Sequence, residues 1–109
     1  MIKELIVGLL IIHGIIHLLG FAKGFNIKEL DQFNESISEP FGLTWFITCI
    51  LFVTSGIGLL LDQIWWVYVA IISILLSQLL IFRFWLDAKT GTAINFILVI
   101  AILIFFNVQ

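Results

Sequence analysis

His13 and His17 stand one helical turn apart inside an apolar run that carries no charged residue from Leu5 to Ala22. At a spacing of i and i+4 both imidazoles leave the same face of a helix. Three uses are open to such a pair. The rings can grip one metal ion between two nitrogens. Zinc would then want a third and usually a fourth ligand, for which Cys49, Asp87 and Gln78 lie at suitable depth. They can pass protons or touch a ligand. They can also bond neighbouring helices, as polar side chains do in membrane bundles. Haem held between them is disfavoured, because both rings project from one side of one helix.

The other polar residues of the apolar stretches fall in two layers near the end that carries residues 23–39 and 87–91. One layer holds His17, Thr44, Arg83 and Asn95. The other, a turn deeper, holds His13, Thr48, Cys49 and Gln78. The opposite half has only Thr54, Ser55 and Ser73 near mid-depth and Asn107 at its end. Polar groups in hydrocarbon are costly and face a bundle interior or a wet cavity. The pattern therefore predicts a one-sided polar cavity formed by His13, His17, Thr48, Gln78, Arg83, Asp87 and Asn95. Such a cavity would take a small polar molecule, a lipid headgroup or an ion. Arg83 and Asp87 are again spaced i, i+4. They form either an interfacial salt bridge with a snorkelling guanidinium or an anion contact at the cavity mouth, helped by Lys23 or Lys89. Gln78 is too deep to snorkel easily and should bond a neighbouring helix, with His13 one candidate partner.

The elements that must position these residues follow from hydropathy. Of 109 residues 62% are hydrophobic and 11% charged, with a mean hydropathy of +1.25. A soluble domain of this size cannot hide so much apolar surface. Leu5–Ala22, Phe41–Leu61, Ile64–Phe82 and Gly91–Gln109 contain no Asp, Glu, Lys or Arg. Each is about 20 residues long, the length that crosses a bilayer core as a helix. No run alternates with period two, so barrel strands are not indicated. The expected architecture is all-α: one membrane domain over 1–109, an antiparallel bundle of four transmembrane helices over about 3–22, 40–61, 63–86 and 91–108. The reading of the first run as a signal peptide is weaker, because it is long and ends without a small-residue cleavage site.

Caps and charges refine this picture. Ser38 with Pro40 suits the start of the second helix. Asp62 suits the start of the third, leaving a link of about two residues, and Thr90 or Thr92 the start of the fourth. Trp45 with Trp85, and Trp65 with Trp66, predict aromatic belts at the two interfaces. Lys23 and Lys28 in the first loop, with Arg83 and Lys89 near the third, outnumber Lys3 on the other side. The positive-inside rule then places loops 23–39 and 87–91 in the cytoplasm and both termini outside. Within the first loop Leu30, Phe33 and Ile37 have helical spacing, so a short interfacial helix and an irregular connection are both open. Asn34-Glu35-Ser36 matches the glycosylation pattern, weakly. The net charge of −2 argues against nucleic acid, and the single cysteine, Cys49, permits no internal disulfide.

The stretch from His13 to Phe25, together with Ser77-Gln78 and Trp85-Leu86-Asp87-Ala88-Lys89-Thr90-Gly91-Thr92-Ala93-Ile94-Asn95, resembles a group of small bacterial four-helix integral membrane proteins of uncharacterised activity. The first helix and its Gly- and Lys-bearing end are also distantly DoxX-like. The first resemblance implies a multi-pass protein of the bacterial inner membrane. The second implies an association with membrane redox or sulfur metabolism, without matched catalytic residues.

Three functions remain at this level. The bundle binds a small molecule, headgroup or ion in its cavity. Alternatively, it is a structural subunit of a homo-oligomer or larger membrane complex, with its polar layers serving as helix glue. Alternatively, it is a metal- or His-dependent membrane enzyme using a metal ion at His13 and His17. The sequence shows no clear nucleophile, phosphate loop or complete ligand set for the last.

Overall fold

The computed structural model describes residues 1–24 and 37–107, the side chain of Asp87 excepted. The expected helix around Leu30 and Phe33 and the Asn34 acceptor lie outside the described residues. The helical segments are α1 (Ile2–Ile16), α2 (Leu18–Gly24), α3 (Glu39–Leu60), α4 (Trp66–Arg83), α5 (Trp85–Ala88) and α6 (Thr90–Asn107). Among the described residues there is no strand. The span Ile2–Gly24, α3, α4 and α6 are each long and apolar enough to cross a membrane, with mean hydropathies of 2.4, 2.0, 1.9 and 2.1.

Side-chain contacts fix the helix directions. Lys3 Nζ donates to Asp62 Oδ1 at 2.7 Å, setting the start of α1 beside the end of α3. The Ser55 hydroxyl donates to the Trp66 carbonyl at 2.8 Å and closes α3 onto α4. Trp66 meets Phe105 edge to face at 5.6 Å, so the start of α4 lies beside the end of α6. Gln78 and Thr92 meet toward the opposite end. The chain therefore runs up, down, up and down, as short connections favour.

Apolar side chains pack in two places. Ile6, Leu10, Phe52, Leu59, Trp66, Ala70, Leu98, Ala101, Ile102 and Phe105 fill the half that holds the chain termini and the α3–α4 turn. Ile37, Trp45, Leu80 and Phe84, with Phe21 and Ala88, close the other end. Close backbone approach seats α2 on α3. A Cβ on Gly24 would lie 2.7 Å from the Gly42 Cα, and one on Gly20 would overlap the Trp45 indole.

The helix ends depart from the sequence expectations in informative ways. Ser38 does precede α3 in an extended conformation, with Pro40 in the first turn, but its hydroxyl makes no cap bond. Asp62 does not start the next helix. It adopts a left-handed conformation, φ 57°. The Gln63 N–H reaches the Gly58 carbonyl at 2.9 Å and the Asp62 N–H reaches that of Leu59 at 3.0 Å. This is a Schellman termination of α3 with aspartate where glycine is usual, and its carboxylate is spent on Lys3. The connection consequently runs from Leu61 to Trp65, longer than expected. The expected continuous helix over 63–86 stops at Arg83, because Phe84 leaves helical geometry (φ −116°, ψ 43°) and α5 begins afresh. The tryptophans divide two and two. Trp65 and Trp85 are exposed, whereas Trp45 and Trp66 are about 95% buried and belong to the core.

Candidate functional site

The interruption between α1 and α2 creates the site. The His17 N–H bonds the Gly14 carbonyl at 3.0 Å rather than that of His13. The His13 carbonyl instead accepts the His17 ring Nδ1–H at 2.7 Å. A side chain thus replaces its own backbone donor one turn up, which disrupts the ladder at that point.

That bond fixes the other nitrogen. With Nδ1 protonated, a neutral His17 offers Nε2 as an acceptor, and the Ser77 hydroxyl donates to it at 2.9 Å. Ser77 Oγ in turn accepts from Asn95 Nδ2 at 3.2 Å. The second Asn95 Nδ2 proton goes to Gln78 Oε1 at 3.1 Å, and Gln78 Nε2 donates to Thr92 Oγ1 at 2.9 Å. Asn95 Oδ1 accepts from His13 Nε2 at 2.9 Å. With neutral rings, every bond in this set has one donor and one acceptor. It links α1, α4 and α6 through Asn95. The set includes two amides, whose carbonyl and NH₂ ends are fixed by these partners, so it holds the helices in register and does not hand protons along.

One atom is left over. With Nε2 protonated, His13 keeps a lone pair on Nδ1, which is buried and has no hydrogen-bond partner among the described residues. Leaving such a buried acceptor unmatched costs about 1–3 kcal/mol. The His13 ring packs edge-on against His17 at 4.7 Å and Phe52 at 5.0 Å. Its Cε1, the carbon between the two ring nitrogens, lies 3.7 Å from where a Cβ on Gly91 would stand.

His13 and Gly91 both border a cavity of about 250 Å³, together with Ile16, His17, Leu19, Trp45, Ile81, Ala88, Thr90 and Ile94. Its walls are mostly aliphatic. The exposed side chains of Ile16, Leu19 and Thr90 place its mouth on the outer surface between the α1–α2 strand of the bundle and the start of α6.

The seven residues singled out from sequence therefore separate. His13 and His17 line the cavity; with Gln78 and Asn95 they form the network. Thr48 is fully buried but satisfies itself on its own helix, donating to the Thr44 carbonyl at 2.8 Å. Arg83 is exposed and lies over Phe84 at 4.7 Å and Phe41 at 5.4 Å, a cation–π arrangement. The break at Phe84 removes the continuous helix on which Arg83 and Asp87 would have faced each other, and the Asp87 side chain lies outside the described residues. Gln78 bonds Asn95 and Thr92, while His13 bonds Asn95. Among the described residues no three His, Cys, Asp or Glu side chains converge as metal ligands.

Sequence reasoning gave Ser77 no role in the site. Its signal was the stripe Ala70, Ser73, Ser77 on the buried face of α4, where small residues let a neighbouring helix come close. Comparison with protein-family models, with curated proteins and with solved structures finds no match.

Proposed function

We propose that the chain is an integral membrane binding protein. Its four apolar helices span a bacterial inner membrane with both termini outside and loops 23–39 and 87–91 cytoplasmic, and the cavity beside the histidines receives a small molecule from the bilayer. The observation that carries this reading is the mismatch between network and cavity. Six polar side chains from three helices satisfy one another, yet beside them apolar side chains leave a space unfilled. A bundle held together by glue alone has no use for that space, since interiors normally pack without voids larger than a water. About 250 Å³ corresponds to roughly eight water-sized groups. Aliphatic walls and a mouth on the lipid-facing surface suit an apolar molecule better than a free ion.

The test is a titration of fluorobenzene, followed by ¹⁹F NMR, into purified protein in bilayer nanodiscs. Saturable binding above the partitioning into empty nanodiscs is expected, and Ala88→Leu, which fills the cavity, removes it without lowering the melting temperature. Uptake equal to that of empty nanodiscs would overturn the reading.

The self-satisfied network also favours a second role, that of a subunit fixed rigidly within a homo-oligomer or larger complex. A stoichiometric partner retained through mild-detergent purification would support it.

A further inference from the structure

We infer that the cavity holds part of one acyl chain of a bilayer phospholipid, with the polar end of that lipid left outside at the rim. This rests on the binding role proposed above and narrows it to one occupant. The side chains of the wall offer hydrogen bonds only at the mouth. Both ring nitrogens of His17 are engaged, one by the His13 carbonyl and the other by Ser77. Nε2 of His13 is held by Asn95. Nδ1 of His13 and Nε1 of Trp45 each have less than 1 Å² of accessible surface, so neither meets an occupant. The remaining polar side chain of the wall is Thr90, which is exposed and stands at the mouth. A molecule with polar groups along its length would carry them past Ile81 and Ile94 and leave them unmatched. A hydrocarbon chain gives up nothing by entering, because lipid tails are as apolar as these walls. It also supplies the contact atoms that an empty space denies to its lining.

Shape and direction agree. On the first span the wall runs from Leu19 to His13, six residues, or about 9 Å at about 1.5 Å per residue. On α6 it runs from Thr90 to Ile94, likewise away from the end that carries residues 87–91. A lipid whose headgroup sits at that end sends its chains along the same line. Ile16, Leu19 and Thr90 are all exposed, so the mouth is a slit through which a chain slides in sideways without leaving hydrocarbon. The roughly eight water-sized groups that fit the space amount to a segment of one chain. Lipid is the solvent of these helices and vastly exceeds any guest, so mass action seats it until something displaces it.

The experiment measures intermolecular proton NOEs on deuterated protein with protonated isoleucine δ1 methyls, in nanodiscs of dimyristoylphosphatidylcholine. Ile81 and Ile6 are both buried, at 1% and 0% exposure, but of the two only Ile81 borders the cavity. A cross-peak to acyl methylenes is expected from the Ile81 methyl and none from Ile6. It should vanish when the phospholipid is chain-deuterated, weaken as fluorobenzene is titrated to saturation, and be lost in Ala88→Leu. The comparison of the two methyls needs no variant, so it decides the matter whether or not the Ala88→Leu chain folds. Absence of the cross-peak while fluorobenzene binds saturably would overturn the lipid assignment and leave the binding role standing. Absence of both would overturn both. An equally strong cross-peak from Ile6 would overturn the assignment, since the signal would not report on the cavity. Survival of the Ile81 cross-peak with chain-deuterated phospholipid would overturn it too, by tracing the signal to a small amphiphile retained from the cell.

Discussion

The two halves of the bundle hold together by different rules. Toward the termini and the α3–α4 turn, α6 contributes Leu98, Ala101, Ile102 and Phe105 to a wholly apolar cluster. One turn earlier on the same helix, Asn95 is buried just as deeply and does nothing but make directed bonds. The apolar half is specified by volume: any side chain of the right size that leaves no void will serve. The half around His13 is specified by atom type, since each donor has a single acceptor. The cavity lies in the half where atom type is enforced.

Truncation and same-size replacement on α6 test this contrast. The largest loss is expected for Leu98→Ala, about 2–5 kcal/mol of unfolding free energy, as for other buried leucines. Asn95→Leu keeps the bulk but strands His13 Nε2, Ser77 and Gln78. With bonds between membrane helices worth on average about 0.6 kcal/mol and stranded groups about 1–3 kcal/mol, the loss should be about 2–4 kcal/mol. Leu98→Met, the matching same-size change in the apolar half, should cost less than about 1.5 kcal/mol. Reversible unfolding in mixed micelles measures all three. If Asn95→Leu proved as mild as Leu98→Met, the distinction between the halves would disappear. The smallest effect is expected far from the site. Asp62→Gly relieves a left-handed aspartate but gives up an exposed pair with Lys3 worth at most about 1 kcal/mol. A net gain of about 0.5 kcal/mol should appear in the same assay, and a loss above 1 kcal/mol would mean that the Lys3 contact matters more than the backbone does.

The four helices were legible because uncharged runs of bilayer length are a coarse signal that survives any detail of packing. Their ends were less so. Asp62 carries the chemistry of a helix start, and nothing local says that its backbone will be left-handed and its carboxylate turned to Lys3, 59 positions away. The break at Phe84 has no proline or glycine to announce it. Within the site, His13, His17, Gln78 and Asn95 stood out because large polar groups buried in a bundle must find partners on other helices. Thr48 stood out for a reason that does not hold: a hydroxyl can reach the carbonyl four residues back, as Thr44, Thr48 and Ser73 all do. Depth alone does not show which way such a residue faces. Trp45 and Trp66 misled in the other direction, since a position near a helix end is compatible with a belt and with a core, and only the packed neighbours decide.

The interruption at His17 has a mechanical meaning. Where an ordinary helix would be continuous, α1 and α2 meet at a carbonyl clasped by an imidazole that is also part of the cavity wall. The same ring reaches Ser77 on α4, so one side chain joins the main chain of α1, the cavity wall and a second helix. The segment beyond is seated on α3, with Gly20 flush on Trp45 and Gly24 against Gly42. The joint between α1 and α2 is thus closed by a single side chain.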